Sequence, residues 1–399
     1  MKAGNYNILT INAGSSSIRF AVYSTGESLK KLLSGQIKRI GLKNTEFTFK
    51  DLVSGEKNSV AVHVSGFNEA AEFLLDWLKK QQSLSQVSCI GHRVVHGRDY
   101  TSPEIIDDAL LTELSNISEF DPSHLPSEIA IIKLFKEQLP HLLQVACFDT
   151  SFHTTMPRVA KILPIPRDFD KAGIRRYGFH GLSYTYLMEA LKNVNGENKT
   201  AGKIILAHLG NGASLTAVKA GKSLDTSMGF TPASGLVMST RPGDLDPGVA
   251  WYMMQSNQMT PEKFNHLINQ EAGLLGVSES SSDMQDLLEK ENFDVRAAEA
   301  VNLFCYQVKK WIGAFAAVLN GLDTLVLSGG IGENAPVIRS RICEGLSYLG
   351  IEIDEEENHR TATAISKQNS PVNVYVIPTD EEIVIAKATR DLYIKSEKK

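Results

Sequence analysis

Residues 8–22 read Ile8-Leu-Thr-Ile-Asn-Ala-Gly-Ser-Ser-Ser-Ile-Arg-Phe-Ala-Val22. Two β-prone runs flank a turn of Asn, Gly and three serines, which predicts a hairpin with a polar tip. Small residues from Asn12 to Ser17 let backbone N–H groups approach an anion, and the Ser15 and Ser17 hydroxyls with the Asn12 amide add partners for phosphate oxygens or a hydrated cation. Alone, the stretch is a phosphate cradle or an ordinary surface turn. A second stretch repeats it: Ile204-Ile-Leu-Ala-His-Leu-Gly-Asn-Gly-Ala-Ser-Leu-Thr-Ala-Val218. With one inserted residue, His208 falls opposite Asn12, Gly210 opposite Gly14 and Ser214 opposite Ser17. Two such hairpins half a chain apart point to a duplicated α/β domain with a ligand between the halves.

Composition agrees with two full cores, because 399 residues exceed what one core usually fills. A net charge of -5 gives no basic footprint for nucleic acid, and no run approaches the ~18 apolar residues that span a bilayer. The start, Met1-Lys-Ala-Gly-Asn-Tyr6, shows no apolar signal segment, so the expectation is a cytoplasmic protein without nucleic-acid or membrane partners. Cys89, Cys147, Cys305 and Cys343 are scattered and form no CxxC, which reads as buried reduced thiols. His92 and His96 sit four apart in a β-prone segment, where that spacing need not build a transition-metal site.

Further motifs follow in order: Gly91-His-Arg-Val-Val-His-Gly97, Ile174-Arg-Arg-Tyr-Gly-Phe-His-Gly181, Thr240-Arg-Pro-Gly-Asp-Leu-Asp-Pro-Gly248 and Gly329-Gly-Ile-Gly-Glu-Asn334. Together with the two hairpins they resemble the acetate kinase family over nearly the whole chain. The resemblance implies the fold class of sugar kinases, actin and Hsp70: two similar α/β domains, each on a mixed five-stranded sheet, with the active site in the cleft between them. It implies an acyl- and phosphate-binding domain over residues 1–150, with 379–399 folding back onto it, and a nucleotide-binding and dimerisation domain over 151–378. The implied reaction is reversible, direct in-line transfer of phosphoryl from ATP to acetate, giving acetyl phosphate and ADP, with Mg2+ or Mn2+, by a homodimer. A propionate or butyrate kinase is the alternative in the same class. A chaperone, a polyphosphate hydrolase or an inactive binding protein would be alternatives on the same fold.

Several residues draw attention by themselves. Arg93 lies in an apolar strand pattern, and a buried arginine either meets a structural carboxylate or awaits an anionic ligand. Asp149 follows a predicted strand, where α/β sheets bind ligands; a helix cap is its plain alternative. Arg175, Arg176 and His180 form a compact cationic group, which an anionic ligand or a surface ion-pair cluster would satisfy. Residues 230–248 form a long Pro-, Gly- and Asp-rich loop carrying Arg241, and loops of that length are usually functional. Residues 323–327 read as a strand entering a glycine turn, with Pro336 suited to a helix start, an order that favours nucleotide phosphates.

By resemblance, Arg93, Asp149, His180 and Arg241 are catalytic. Asn12 and Glu381 hold magnesium, while Arg93, Val95, Ser123, His124, Phe179 and Pro232 shape the acyl pocket. The nucleotide falls to Asn12, Ser15, Ser17, Arg19, His208, Leu209, Gly210, Asn211, Gly212, Asp283, Met284, Gln285, Gly330, Ile331, Gly332, Glu333 and Asn334. The chain departs from the family pattern at Arg19 (usually lysine), Arg98 (glycine), Ser123 (leucine), Leu125 (asparagine), Ser239 (glycine), Pro242 (serine) and Gln285 (arginine). Gln285 loses a charge and a stacking surface beside the base, so modest ATP affinity and weak discrimination against GTP are expected.

Overall fold

The computed structural model describes residues 5–14, 16–41, 44–195, 200–256 and 258–398. Ser15 lies outside them. The chain divides into two compact units, Met1–Ser151 with Asp380–Lys399, and Phe152–Thr379.

The first unit is built on an eight-stranded sheet in the order β5-β4-β3-β2-β1-β6-β8-β7. Its strands are β1 (Asn7–Ala13), β2 (Ser17–Thr25), β3 (Leu29–Lys38), β4 (Glu46–Asp51), β5 (Lys57–Ala61), β6 (Val87–Val94), β7 (Glu104–Ile105) and β8 (Leu143–Phe148). The opening hairpin is the antiparallel pair β1 and β2, and β1 is buried along its whole length. The second sheet has the order β11-β10-β9-β12-β13, from β9 (Lys203–Leu209), β10 (Ala213–Lys219), β11 (Lys222–Thr226), β12 (Thr324–Ser328) and β13 (Asn373–Val376).

The duplication is visible strand by strand. In the first unit β3, β2 and β1 pair antiparallel while β1, β6 and β8 pair parallel. In the second, β11, β10 and β9 repeat the antiparallel part and β9, β12 and β13 the parallel part. The expected five strands are thus the whole second sheet and the inner five of the first, which adds β4 and β5 on one edge and β7 on the other. The hairpin tips differ from the sequence comparison. The last ladder pairs are Ala13 with Ile18 and Leu209 with Ala213, so the second tip is one residue shorter and Ser214 stands at the register of Arg19, not of Ser17.

Helices form where the apolar spacing predicts them. Phe67–Lys79 buries Ala70, Ala71, Leu74, Leu75 and Leu78. Val295–Leu319 buries Val301, Phe304, Val308, Ile312, Phe315 and Leu319, with Trp311 only half-buried. The helix Leu125–Gln138 has Pro126 in its first turn, where the missing N–H is no loss. All four cysteines are free and buried, and burial pushes the Cys89 and Cys147 thiols up to about 12. Among the described residues no helix is long and apolar enough to cross a membrane.

The C-terminal helix Glu381–Ser396, capped by the Asp380 carboxylate on Ile383 N–H, packs on β1, β6 and β8. Gly91 makes that approach possible. A Cβ there would lie 2.5 Å from Ile385 Cγ2 and closer still to Thr389 Oγ1, both in the helix. Gly91→Val should therefore destabilise the protein by about 1–3 kcal/mol, as overpacking of a tight core does. The urea midpoint measures it. A loss under about 0.5 kcal/mol, the size of an ordinary surface substitution, would mean that the helix moves aside freely.

Candidate active site

The first unit gathers its charged residues at the carboxyl ends of β6 and β8. Asp149 follows β8 directly, and its N–H donates to Val94 O at 2.9 Å, which extends the ladder and fixes where its side chain begins. Its Oδ2 accepts from Arg93 Nε at 3.1 Å and Nη2 at 2.7 Å. Arg93 Nη1 donates to Ala13 O at 2.8 Å and to Glu128 Oε1 at 3.5 Å. The open question about Arg93 is answered by carboxylates, of which Asp149 is one. Burial lowers the arginine's pKa and the two carboxylates raise it, with a net rise.

Asn12, at the end of β1, donates its amide N–H to Glu381 Oε2 at 2.8 Å and to Glu382 Oε1 at 3.2 Å. Burial raises the pKa of both glutamates; Asp149 raises Glu381 further and Glu381 raises Glu382, with Arg19 opposing. A partly buried, mutually repelling set of oxygen ligands suits a hard cation such as magnesium. Among the described residues no three His, Cys, Asp or Glu side chains are grouped to hold a metal by themselves. His92 belongs to the core, its Nε2 against Gln144 Oε1 at 2.7 Å.

The expected acyl residues of this unit lie beside Arg93 in sequence or through Glu128. Val95 is buried and donates its N–H to Glu128 Oε2 at 2.8 Å. His124 is buried with Nδ1 against Asp121 Oδ1 at 2.8 Å. Ser123 is half-buried, whereas Leu125 is wholly buried as the first residue of its helix. Arg19 is exposed on β2, opposite Asn12 in the ladder, and Ser17 O accepts from Gly14 N at 2.8 Å in the turn.

In the second unit His180 carries a positive φ of 59° just before the helix Gly181–Asn195. Its ring stacks on His208 at 4.3 Å, and its Nδ1 meets Ser214 Oγ at 2.8 Å, which in turn is bonded to the Tyr184 hydroxyl. His208 Nδ1 meets Ser183 Oγ at 2.8 Å. A Cβ at Gly212 would lie 3.1 Å from His180 Nε2, so the hairpin tip and the imidazole are direct neighbours. Phe179 is buried, and its carbonyl accepts from His153 Nε2 at 3.0 Å. The twin arginines separate: Arg176 donates to the carbonyls of Thr226, Ser227 and Met228, and Arg175 lies over the Tyr177 ring. Arg176 thus serves the chain's own carbonyls.

Arg241 and Pro232 are joined, Arg241 Nη1 donating to Pro232 O at 3.1 Å. Their loop is fastened at its middle. The first amides of the helix Gly273–Ser278 reach it, Leu274 N to Met238 O at 2.8 Å and Leu275 N to Ser239 O at 3.0 Å. Ser239 N donates to Asn211 O at 3.1 Å, tying the loop to the hairpin tip. Gly273, at φ 65°, leaves room for the Arg241 backbone, which a Cβ would overlap.

The glycine turn follows β12 as a single helical turn, Gly329–Asn334, with Gly332 buried and Ile331 half-buried. Gly210 faces it, since a Cβ there would lie 3.6 Å from Gly330 N, and Leu209 flanks Gly332. One first-turn donor is already occupied: Gly329 N gives its hydrogen to Glu333 Oε1 at 2.9 Å, and Thr379 N donates to the same oxygen at 3.1 Å. Asn334 Nδ2 donates to Gly330 O at 2.9 Å. Asp283 caps the next candidate segment by accepting from Gln285 N at 2.8 Å; Met284 is buried, while Gln285 is exposed and reaches Glu289. These contacts are local and leave that segment apart from the other candidates.

Sequence reasoning missed Glu128, Asp121, Ser214 with Tyr184, and Arg339. The last is fully buried and donates to Gly332 O and Glu333 O at 2.9 Å each and to Asn358, holding the carbonyl end of the glycine turn. Its only sequence signal is a position four residues into a Pro-started helix, which marks a surface turn as readily as a core.

A model of the Acetokinase family matches residues 7–387. An acetate kinase of Clostridium kluyveri is 42% identical over 399 residues, covering 97% of this chain and 98% of its own. One of Bacillus cytotoxicus is 41% identical, with 95% and 97% covered. Among solved structures, a Porphyromonas gingivalis acetate kinase has TM-score 0.86 at 34% identity, covering 97% of this chain and 100% of its own. A Francisella tularensis propionate kinase has TM-score 0.89 at 36% identity, with 97% and 99% covered. With its duplicated sheets in the sugar kinase, actin and Hsp70 class, the chain belongs to the acetokinase family.

Proposed function

We propose that this protein transfers the terminal phosphoryl group of ATP to acetate, reversibly, giving acetyl phosphate and ADP. The observation that carries the reading is a chain matched nearly end to end by acetate kinases that has a largely buried, carboxylate-locked arginine at the end of β6. Free carboxylic acids ionise at about pH 4–5, so the nucleophile needs no strong base. Catalysis then rests on positioning and charge neutralisation. Arg93 holds the acid's carboxylate, with Val95 and the buried Phe179 and Pro232 among the groups that shape the acyl pocket. Arg241 takes the phosphoryl group, and His180, fixed by Ser214 and His208, donates a hydrogen bond to it. The glycine turn and the second hairpin tip receive the nucleotide phosphates, and the segment Asp283 to Gln285 the base.

Magnesium would be held by Glu381 with the Asn12 carbonyl oxygen, Asp149 orienting its water, and would neutralise phosphate oxygens. Assembly as a homodimer belongs to the same reading, supported by the exposed Trp251, Tyr252, Phe293 and Tyr306 of the second unit. So does a cytoplasmic location, where ATP is supplied.

Propionate is the second reading, favoured by Ser123 in place of a leucine. Losing that apolar bulk leaves a larger, wetter wall. One methylene changes discrimination by only ~1–3 kcal/mol, so acetate stays a substrate while propionate approaches it in kcat/KM. Hydroxamate trapping with ATP, magnesium and a series of short acids tests both readings. The expected result is acyl phosphate from acetate and propionate, with Ser123→Leu cutting propionate use more than acetate use. A native enzyme that already rejects propionate as strongly as the leucine variant sinks the second reading, since Leu125 or the loop would have filled the space. No acyl phosphate from any acid sinks the first. Arg241→Ala should lower kcat by at least ~10²-fold, within the range of phosphoryl-transfer arginines. A change confined to KM would remove Arg241 from the transition state.

A further inference from the structure

Glu128 is a carboxylate in the first turn of the helix Leu125–Gln138, only 2% exposed. Both of its oxygens are aimed at residues of the acid-binding side. Oε2 accepts the N–H of Val95 at 2.8 Å, and Oε1 faces Arg93 Nη1 at 3.5 Å. Asp149 takes the opposite edge of the same guanidinium. Asp149 alone balances the single charge of Arg93, so a second ionised carboxylate would compete with an anionic substrate for the same cation.

We propose that Glu128 is a positioning residue for the acyl site, one that holds Arg93 and Val95 in a single geometry and sets how much of the Arg93 charge remains for a substrate carboxylate. The inference rests on the functional reading of Arg93 above. Two hydrogen-bond partners on two residues of one strand end, reached from a separate helix, are more than a helix cap needs. Burial pushes the Glu128 carboxyl up to about 8, against the pull of Arg93 and the Val95 N–H, with Asp121 and Asp149 adding to the rise. The charged and titratable groups around it are therefore Arg93 on β6, Asp149 after β8, and Asp121 and His124 on the loop before its own helix. In the neutral form Glu128 leaves Arg93 paired with Asp149 alone. On ionising it takes a share of the arginine, and an incoming carboxylate binds less well.

The test is the KM for acetate and for ATP between pH 6.5 and 9.5, in roughly half-unit steps, for the wild type, Glu128→Gln and Glu128→Ala. The wild type should show an acetate KM that rises above about pH 8, by up to ~10-fold per unit, while its ATP KM stays level. Glu128→Gln, which is always neutral and still accepts from Val95, should keep the neutral-pH acetate KM and lose the alkaline rise. Glu128→Ala should raise the acetate KM at every pH by about tenfold, the size of one charge-assisted hydrogen bond, and shift the propionate-to-acetate ratio. Should the alanine variant fail to fold, the glutamine variant decides alone. An alkaline rise that persists in Glu128→Gln, or a flat profile in the wild type, overturns this role while leaving acetate kinase activity in place. A wild type that makes no acyl phosphate overturns the functional reading, and this inference with it.

Discussion

The first unit depends on one largely buried cation. An arginine withdrawn from water is tolerable only when its N–H groups find acceptors, and Arg93 takes them from β1 through Ala13 O, from the residue after β8 through Asp149, and from the helix Leu125–Gln138 through Glu128. Four separate pieces of chain thereby meet at one guanidinium. Removing it would leave the buried Asp149 carboxylate without its counter-charge, a loss of the kind that costs about 3–5 kcal/mol. Holding the unit together is therefore one demand on this side chain, and the anion binding proposed above places a second on it. That coupling explains why a costly charge sits at the end of an otherwise apolar strand.

The same five-strand scaffold is used twice with different chemistry at equivalent positions. Ile8 pairs with Cys89 in the first sheet as Ile204 pairs with Thr324 in the second, so Arg93 stands at the register of Ser328 and Asp149 at that of Thr379. Where the first unit ends its central strand in a cation with a carboxylate beside it, the second ends in Ser328 and a glycine turn. A fixed backbone geometry thus offers one strand end for charge and another for close backbone approach. The division follows from which side chains occupy the ends, with no change of topology.

Much of this was legible from the chain alone. Two hairpins with polar tips, the apolar spacing of Phe67–Lys79 and Val295–Leu319, and the strand entering the glycines all follow from local pattern, and the structure has each of them. What was not legible depends on partners far apart in sequence. Glu128 reads as a first-turn acid favoured by the helix dipole, and only the fold brings it to Val95 and Arg93. Arg176 looked like half of an anion site, yet three carbonyls at the end of β11 and just beyond it take its Nη1 hydrogens. The hairpin alignment misplaced Ser214 because sequence similarity absorbed the length difference of the tips at the wrong point. The edge strands β4, β5 and β7 add length to a sheet whose inner order was already set.

Glycines and outliers divide the remaining signal between packing and chemistry. Gly329 has φ 77°, and a Cβ there would lie 2.6 Å from Leu209 O, so packing alone requires glycine whether or not a phosphate ever binds. The glycine motif was easy to read because fold and ligand ask for the same residue, and for that reason it says little about which demand is older. His180 is the opposite case. A non-glycine residue at φ 59° costs about 1–2 kcal/mol relative to a relaxed conformation. A glycine at that position would have avoided the strain. The residue is instead held there by Ser214, by the stack on His208 and by the close approach of Gly212. The contacts that fix the ring from three sides are what keep the backbone in a conformation that costs energy.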